Sequence, residues 1–337
     1  MQTSLTRLTA DDGTRLVVHI WLPEWLIDGS LLVADAPDAA GLSTMVTSHP
    51  KVAGAARPRG IIVISHGMAE HASRYARFAA SAVEEGYAVL AGDHRGHGAT
   101  AAPGGFGFVA EQDGWDTVVA DMSTVMDAAR RAWPDVPVFL MGHSWGSILV
   151  RGYAARHGEG LAGLIVMGTI GDPGLLGRAG IGLARAEVRL RGPRHPSVLL
   201  ERRAFANYNR AFAPARTDFD WLSRERAEVD AYIADPLCGF TCTAAFYRDL
   251  ARGGVEVGRP ETFAATPVDL PILVVSGSAD PVGRDGAGVR EVVTAYRRAG
   301  VREVSLRLYP GARHELLNET NREQVTADLL VWVGAHV

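Results

Sequence analysis

Five short, unbroken apolar runs constrain this chain more than any other feature: IIVIS at 61–65, YAVLAG at 87–92, VFLMG at 138–142, LIVMG at 164–168 and ILVVSG at 272–277. A strand with no polar alternation is one buried on both faces. Between the runs lie segments with apolar residues at helical spacing, such as YARFAASAVEEG and WDTVVADMSTVMDAARRA. Strand alternating with helix predicts an α/β fold, a mostly parallel sheet covered by helices on both faces. SLRLYP at 305–310 and a terminal helix ending near TADLLVWVGAHV extend the pattern. RLVVHIWL at 15–22 is β-branched and aromatic enough for an early strand preceding the core.

The alternation fails in two places. Residues 24–58 run through alanine, glycine and proline for longer than the ~12–15 residues at which structureless loops become uncommon, and are expected to be an insertion. Residues 170–235 are rich in arginine, proline and aromatics without a buried-strand run, and read as a helical cap. The chain is therefore expected to comprise a first core part (1–169, carrying the 24–58 insertion), the cap (170–235) and a second core part (236–337).

Composition narrows the function. A 47% hydrophobic and 21% charged chain is a globular one. A formal net charge of -4 argues against a nucleic-acid partner, whose footprint is a basic excess. The two cysteines, Cys238 and Cys242, are too few for a disulfide framework and sit in a stretch that reads as helical, so free thiols are expected. The first residues lack the apolar centre of a signal peptide and no run reaches ~18 apolar residues, so a cytoplasmic location is expected.

The chemistry is carried by GHSWG at 142–146. It fits G-x-S-x-G and lies between the strand VFLMG and the helix-like SILVRGYAARHG, the strand, sharp turn and helix of a nucleophile elbow. Gly142 and Gly146 are expected where a side chain would strike neighbouring backbone. A serine hydroxyl needs a base, and the base needs an orienting carboxylate, in the order Ser, Asp or Glu, His on this fold. Asp280 in SGSADP and His314 in YPGARHELLNE follow the last two strands, whose carboxyl ends share an edge with Ser144. Asp285 lies farther from its strand end, and His94 and His97 in DHRGHG precede the serine and are expected to shape a turn. The oxyanion donors are expected to be the backbone N–H groups of Trp145, after the nucleophile, and Met68 in SHGMAEH. No metal site is expected: His66, Glu70 and His71 fall close in sequence but on different elements. Glu70 and Arg74 could form a helix-surface ion pair. GFGF at 105–108 lacks the flanking strand and helix of a phosphate loop.

The stretches ISHGMAEHASRY, GDHRGHGAT, GHSWGS, EVDAYIADPLCGF, SGSADP and YPGARHELLNE resemble, in order and spacing, the monoacylglycerol lipase and lysophospholipase branch of the α/β-hydrolases, grouped with serine aminopeptidase-like hydrolases. The resemblance implies the triad Ser144, Asp280 and His314, the oxyanion amides of Met68 and Trp145, and Glu70, Arg74 and His143 around the alcohol end of a glycerol ester. The chain departs from the branch in the long 24–58 connection. The expected substrate is a small acyl ester, with no cofactor required. A non-catalytic binder and an amidase, aminopeptidase-like enzyme or general carboxylesterase using the same triad remain open. LLGRAGIGLARAEVRLRGPRHPS in the cap is both apolar and basic, as in a transient lipid-surface contact or a solvated arginine face. Leu175, Leu176, Phe205, Phe212 and Trp221 are candidates to line an acyl tunnel or to form the cap's own core.

Overall fold

The computed structural model describes residues 1–26, 57–101 and 105–337. The expected 24–58 insertion therefore falls almost wholly outside the described residues. Eight strands are described: β1 (Gln2–Thr9), β2 (Arg15–Leu22), β3 (Ile61–Ser65), β4 (Ala88–Gly92), β5 (Val138–His143), β6 (Gly163–Met167), β7 (Ile272–Gly277) and β8 (Val304–Tyr309). They form one sheet in the order β1-β2-β4-β3-β5-β6-β7-β8. The β1/β2 and β2/β4 pairs are antiparallel and the remainder parallel.

The helices are α1 (Ala76–Glu84), α2 (Gly114–Ala132), α3 (Trp145–His157), α4 (Gly174–Arg191), α5 (Val198–Phe205), α6 (Arg226–Ala234), α7 (Ala244–Val257), α8 (Pro260–Ala265), α9 (Ala287–Arg298) and α10 (Arg322–Gly334). Alternate strand residues feed two apolar cores. Val63, Leu90, Leu140, Val166 and Val274 pack with α2, α3 and α9 on one face. Ile62, Val89, Phe139, Ile165 and Val275 pack with α1 and α10 on the other. Each such side chain removed from water contributes roughly 1.5–3 kcal/mol, which is why the central strands tolerate no polar alternation.

RLVVHIWL is not a preface to the core, as its sequence suggested, but a member of the sheet. Beyond it lies β1, which the residue pattern does not announce. As an edge strand it buries only Thr6 and Leu8, and a hydroxyl standing in an apolar position weakens the alternation signal. Residues 170–235 contribute α4, α5 and α6 and no strand to the sheet; one isolated bridge joins Pro196 to Thr243. The stretch around Cys238 and Cys242, expected to be helical, is instead a series of turns between α6 and α7, with Pro236 and Gly239 breaking the helix. Both thiols are free and buried. Among the described residues no helix is long and apolar enough to cross a membrane.

Candidate active site

Ser144 joins β5 to α3 with φ 55° and ψ −118°, a backbone conformation that costs a non-glycine residue of order 1–3 kcal/mol and persists only where its surroundings impose it. Those surroundings are the two flanking glycines. A Cβ on Gly142 would overlap the Gly146 carbonyl, and one on Gly146 would overlap the carbonyl oxygens of Ser65 and His66. The elbow is thus pressed against the end of β3, and Ser144, unlike its buried neighbours, keeps partial exposure. Its own N–H donates to Met167 C=O at 3.0 Å.

The turn after β3 lies against the elbow. A Cβ built on Gly67 would stand 3.3 Å from Ser144 Cβ. Ala69 closes this turn in the left-handed region, φ 51°. Its carbonyl accepts from Tyr232 Oη at 2.9 Å and from Gly239 N–H at 2.9 Å, so α6 and the segment leaving it together hold the turn. Neither Met68 N–H nor Trp145 N–H makes a hydrogen bond among the described residues. Trp145 is the first residue of α3, where the intrahelical ladder supplies no acceptor.

Asp280 and His314 arrive on the loops following β7 and β8. Gly277 lets the two loops meet: a Cβ there would overlap the Ala312 and Arg313 carbonyls. His314 Nδ1 lies 2.9 Å from Asp280 Oδ2. The same carboxylate accepts from Val282 N–H at 2.9 Å and Ser276 Oγ at 3.2 Å, so its direction is fixed. Both residues are almost wholly buried. His314 Nε2 is buried without a hydrogen-bond partner. Trp221 covers the ring, centroids 5.1 Å apart, and His143 flanks it at 4.7 Å. Asp285 is exposed and meets Asp280 only through its backbone N–H.

Glu70, Arg74 and His143 come together beside this group, Glu70 and His143 buried and Arg74 partly so, rather than on an open helix surface. Glu70 Oε1 accepts from Gly67 N–H at 2.6 Å and Tyr75 Oη at 2.9 Å, and lies 3.2 Å from His143 Nδ1. Its Oε2 accepts from Arg74 at 2.7 Å. Burial opposes the charge on Glu70, but the His143 hydrogen bond and the Arg74 guanidinium outweigh it and hold the carboxyl well below its usual range. Burial likewise opposes a charged His143, and the Glu70 carboxylate reverses the balance and raises its pKa. Arg74 makes a bidentate pair with Glu315, both bonds 2.7 Å. Glu315 was not among the residues expected at the site, although a charge inside HELLNE, next to a candidate base, was the available signal.

His94 and His97 lie behind the turn in a buried histidine cluster with His66. His66 Nε2 accepts from His94 N–H at 3.0 Å, and His94 Nε2 lies 2.9 Å from Ser65 Oγ. The five tunnel candidates separate. Leu175 and Leu176 are 80% and 86% exposed and line nothing. Phe205 and Phe212 pack with Trp221 and Tyr208 in a separate apolar cluster next to His314. The α4 helix turns its leucines outward because its opposite side packs on α7. The 105–108 segment is turn, with neither flanking strand nor following helix.

A serine at a strained strand-to-helix turn, on an eight-stranded mostly parallel sheet with an Asp–His pair at the same edge, defines an α/β-hydrolase. The family model described as serine aminopeptidase, S33, matches residues 56–321, and the chain belongs to that family. It is 30% identical over 284 residues to a monoacylglycerol lipase of Mycolicibacterium smegmatis, covering 83% of this chain and 90% of the relative. It is 29% identical over 292 residues to the monoglyceride lipase of Mus musculus, covering 83% and 82%. Its fold superimposes on a thermostable carboxyl esterase of Bacillus coagulans with a TM-score of 0.85 and 26% identity, over 100% of both chains. The chain is an ester hydrolase on the monoacylglycerol lipase-like branch of the family.

Proposed function

We propose that the protein cleaves monoacylglycerols or lysophospholipids through an acyl-enzyme on Ser144. The observation that carries this reading is the state of His314: one ring nitrogen is anchored on a buried, fully oriented carboxylate, and the other is unpartnered beside the elbow. A base held in one tautomer with its second nitrogen available is what a serine hydroxyl requires. His314 takes the Ser144 proton as the oxygen attacks the ester carbonyl, and Asp280 stabilises the imidazolium. Met68 and Trp145 N–H groups receive the oxyanion, a role their lack of other partners supports. His314 then protonates the departing alcohol, and a water it activates releases the fatty acid.

The alcohol end lies against the Glu70, Arg74 and His143 wall, and the acyl chain runs beneath Trp221 and Phe205. Residues 170–235 serve as the cap. The outer side of α4 carries Leu175, Leu176 and Leu190, each at least 80% exposed, among Arg178, Arg185, Arg189 and Arg191. An apolar surface rimmed by arginines suits transient contact with an anionic lipid surface that presents the substrate. The test is a panel of monoacylglycerols, lysophospholipids, short esters and aminoacyl amides, with fluorophosphonate labelling of the native enzyme and of Ser144→Ala. Turnover of the long-chain esters and labelling confined to the native protein are expected. Activity retained by Ser144→Ala would overturn the mechanism, and preferential amide turnover would overturn the substrate class.

A further inference from the structure

Outside the triad, three side chains of different chemistry converge, one of them next to Glu70 in the chain. The turn Asp235-Pro236-Leu237-Cys238 leaves α6, closed by Cys238 N–H donating to Asp235 C=O at 3.0 Å. Leu237 N–H donates to Asp235 Oδ1 at 2.8 Å, which leaves Oδ2 directed at His71 Nε2, 2.9 Å away. The other ring nitrogen of His71 lies 2.8 Å from Ser73 Oγ, the kind of outer hydrogen bond that fixes the tautomer of a ligating imidazole. The His71 nitrogen, an Asp235 oxygen and Cys238 Sγ all lie within 4.8 Å of one another. Bonds of ~2.0–2.3 Å around a tetrahedral ion separate its ligands by roughly 3.5 Å, so small side-chain shifts bring these three onto one ion.

Charge favours a cation there. Arg74, the guanidinium that acts on Cys238, is engaged by both Glu70 and Glu315. Arg74 and the His143 ring together offset the two carboxylates, and the Asp235 carboxylate supplies the negative charge that a cation would meet. His71 and Cys238 are buried while Asp235 is partly exposed, which provides a solvent path. Sequence could not show the site, because His71 stands 164 residues before Asp235.

We propose that His71, Asp235 and Cys238 form a site for a borderline-soft divalent cation of the zinc class, completed by water at a fourth position. On binding, the thiol proton passes to solvent and the His71 Nε2 proton, directed at Asp235 in the metal-free site, gives way to one on Nδ1 that donates to Ser73 Oγ, so the ion meets a thiolate and a neutral imidazole nitrogen. Its structural effect is to tie the segment leaving α6 to the start of the helical turn at 72–75, beside the Glu70 carboxylate.

The probe is Co²⁺ added to the intact, metal-stripped enzyme. One equivalent is expected to produce a thiolate-to-cobalt charge-transfer band and the intense visible bands of tetrahedral cobalt, both displaced by Zn²⁺. Cys238→Ser should abolish the charge-transfer band, and Asp235→Asn should weaken binding more than about tenfold. Zn²⁺ should raise the thermal midpoint of the native enzyme by several degrees and leave that of Cys238→Ser unchanged. Absence of stoichiometric binding in the folded native protein would overturn the proposal without recourse to any variant. So would a charge-transfer band that survives in Cys238→Ser, since its thiolate would then be Cys242.

Discussion

His314 Nδ1 and Asp280 Oδ2 lie 2.9 Å apart, and the carboxylate also accepts from Ser276 and the Val282 amide, so its two oxygens have fixed assignments. In the proposed mechanism the pair sets the histidine tautomer. Asp280→Asn should leave the fold intact and lower kcat by about 10⁴-fold, as expected when an amide enforces the wrong tautomer. Ester turnover together with circular dichroism checks this; a loss under tenfold would remove Asp280 from the proposed triad.

Glu70 is expected to be structural as well as electrostatic. Truncation to alanine unpairs the Gly67 amide, the Tyr75 hydroxyl and one side of Arg74 at once. Breaking a buried charge pair costs about 3–5 kcal/mol, and Glu70→Gln, which keeps an acceptor, should cost less. Urea unfolding of the two variants measures the difference, and equal midpoints would contradict the assignment.

Gly146→Ala should abolish folding or activity, because its Cβ has no position clear of the Ser65 and His66 carbonyls. By contrast Gly182→Ala, where a Cβ meets open space inside α4, should be neutral or stabilising by up to about 1 kcal/mol. Soluble yield and thermal midpoint of the pair decide the matter.

Acid should unfold the protein through its buried histidines. Burial lowers the pKa of His66, drives that of His94 well below its usual value, and lowers that of His97 to about 3. Above about pH 6.5 these groups are neutral whether folded or unfolded, and their contribution to stability is fully present. As pH falls below about 6.5 the unfolded chain takes up protons that the folded one refuses, so stability declines, with a limiting slope of about 4 kcal/mol per pH unit for three histidines. His143 acts oppositely: its raised pKa adds stability that is present below about pH 6.5 and lost as pH rises through the folded value. Denaturation midpoints measured from about pH 7.5 to about pH 4.5 should fall steeply at the acid end, and the slope should lessen in His97→Gln.

The exposed leucines of α4 should matter for aggregated lipid alone. Leu175→Ser with Leu176→Ser should reduce binding to anionic vesicles and turnover of micellar substrate several-fold, while turnover of a soluble short-chain ester stays unchanged. A parallel loss on both substrates would place these residues in folding instead.

The central sheet could be read from sequence because Ile61–Ser65, Ile272–Gly277 and their neighbours are buried on both faces, and a five- or six-residue apolar run too short for a helix has little else to become. β1 could not, since it is an edge strand whose one face is wet. The elbow was legible because its glycines answer a local steric demand. The second partner of Arg74 was not: the Glu70 pair, four residues away, could be read, but Glu315 pairs with it across 241 residues of chain, and only the sheet's closure brings them together. Leu175 and Leu176 misled for a related reason. Helical spacing of apolar residues identifies a face but does not say whether protein or solvent lies against it.

The two bonds accepted by the Ala69 carbonyl have a mechanical meaning. Tyr232 in α6 and Gly239 just beyond it grip the turn one residue from Met68, so that segment and the turn form a single jointed part. If the proposed cap moves to admit an acyl chain, it must either break this joint or pull the proposed oxyanion donor with it. In the proposed function admission and readiness are therefore geared together, and loosening that segment to broaden what is admitted would blunt the chemistry in the same stroke.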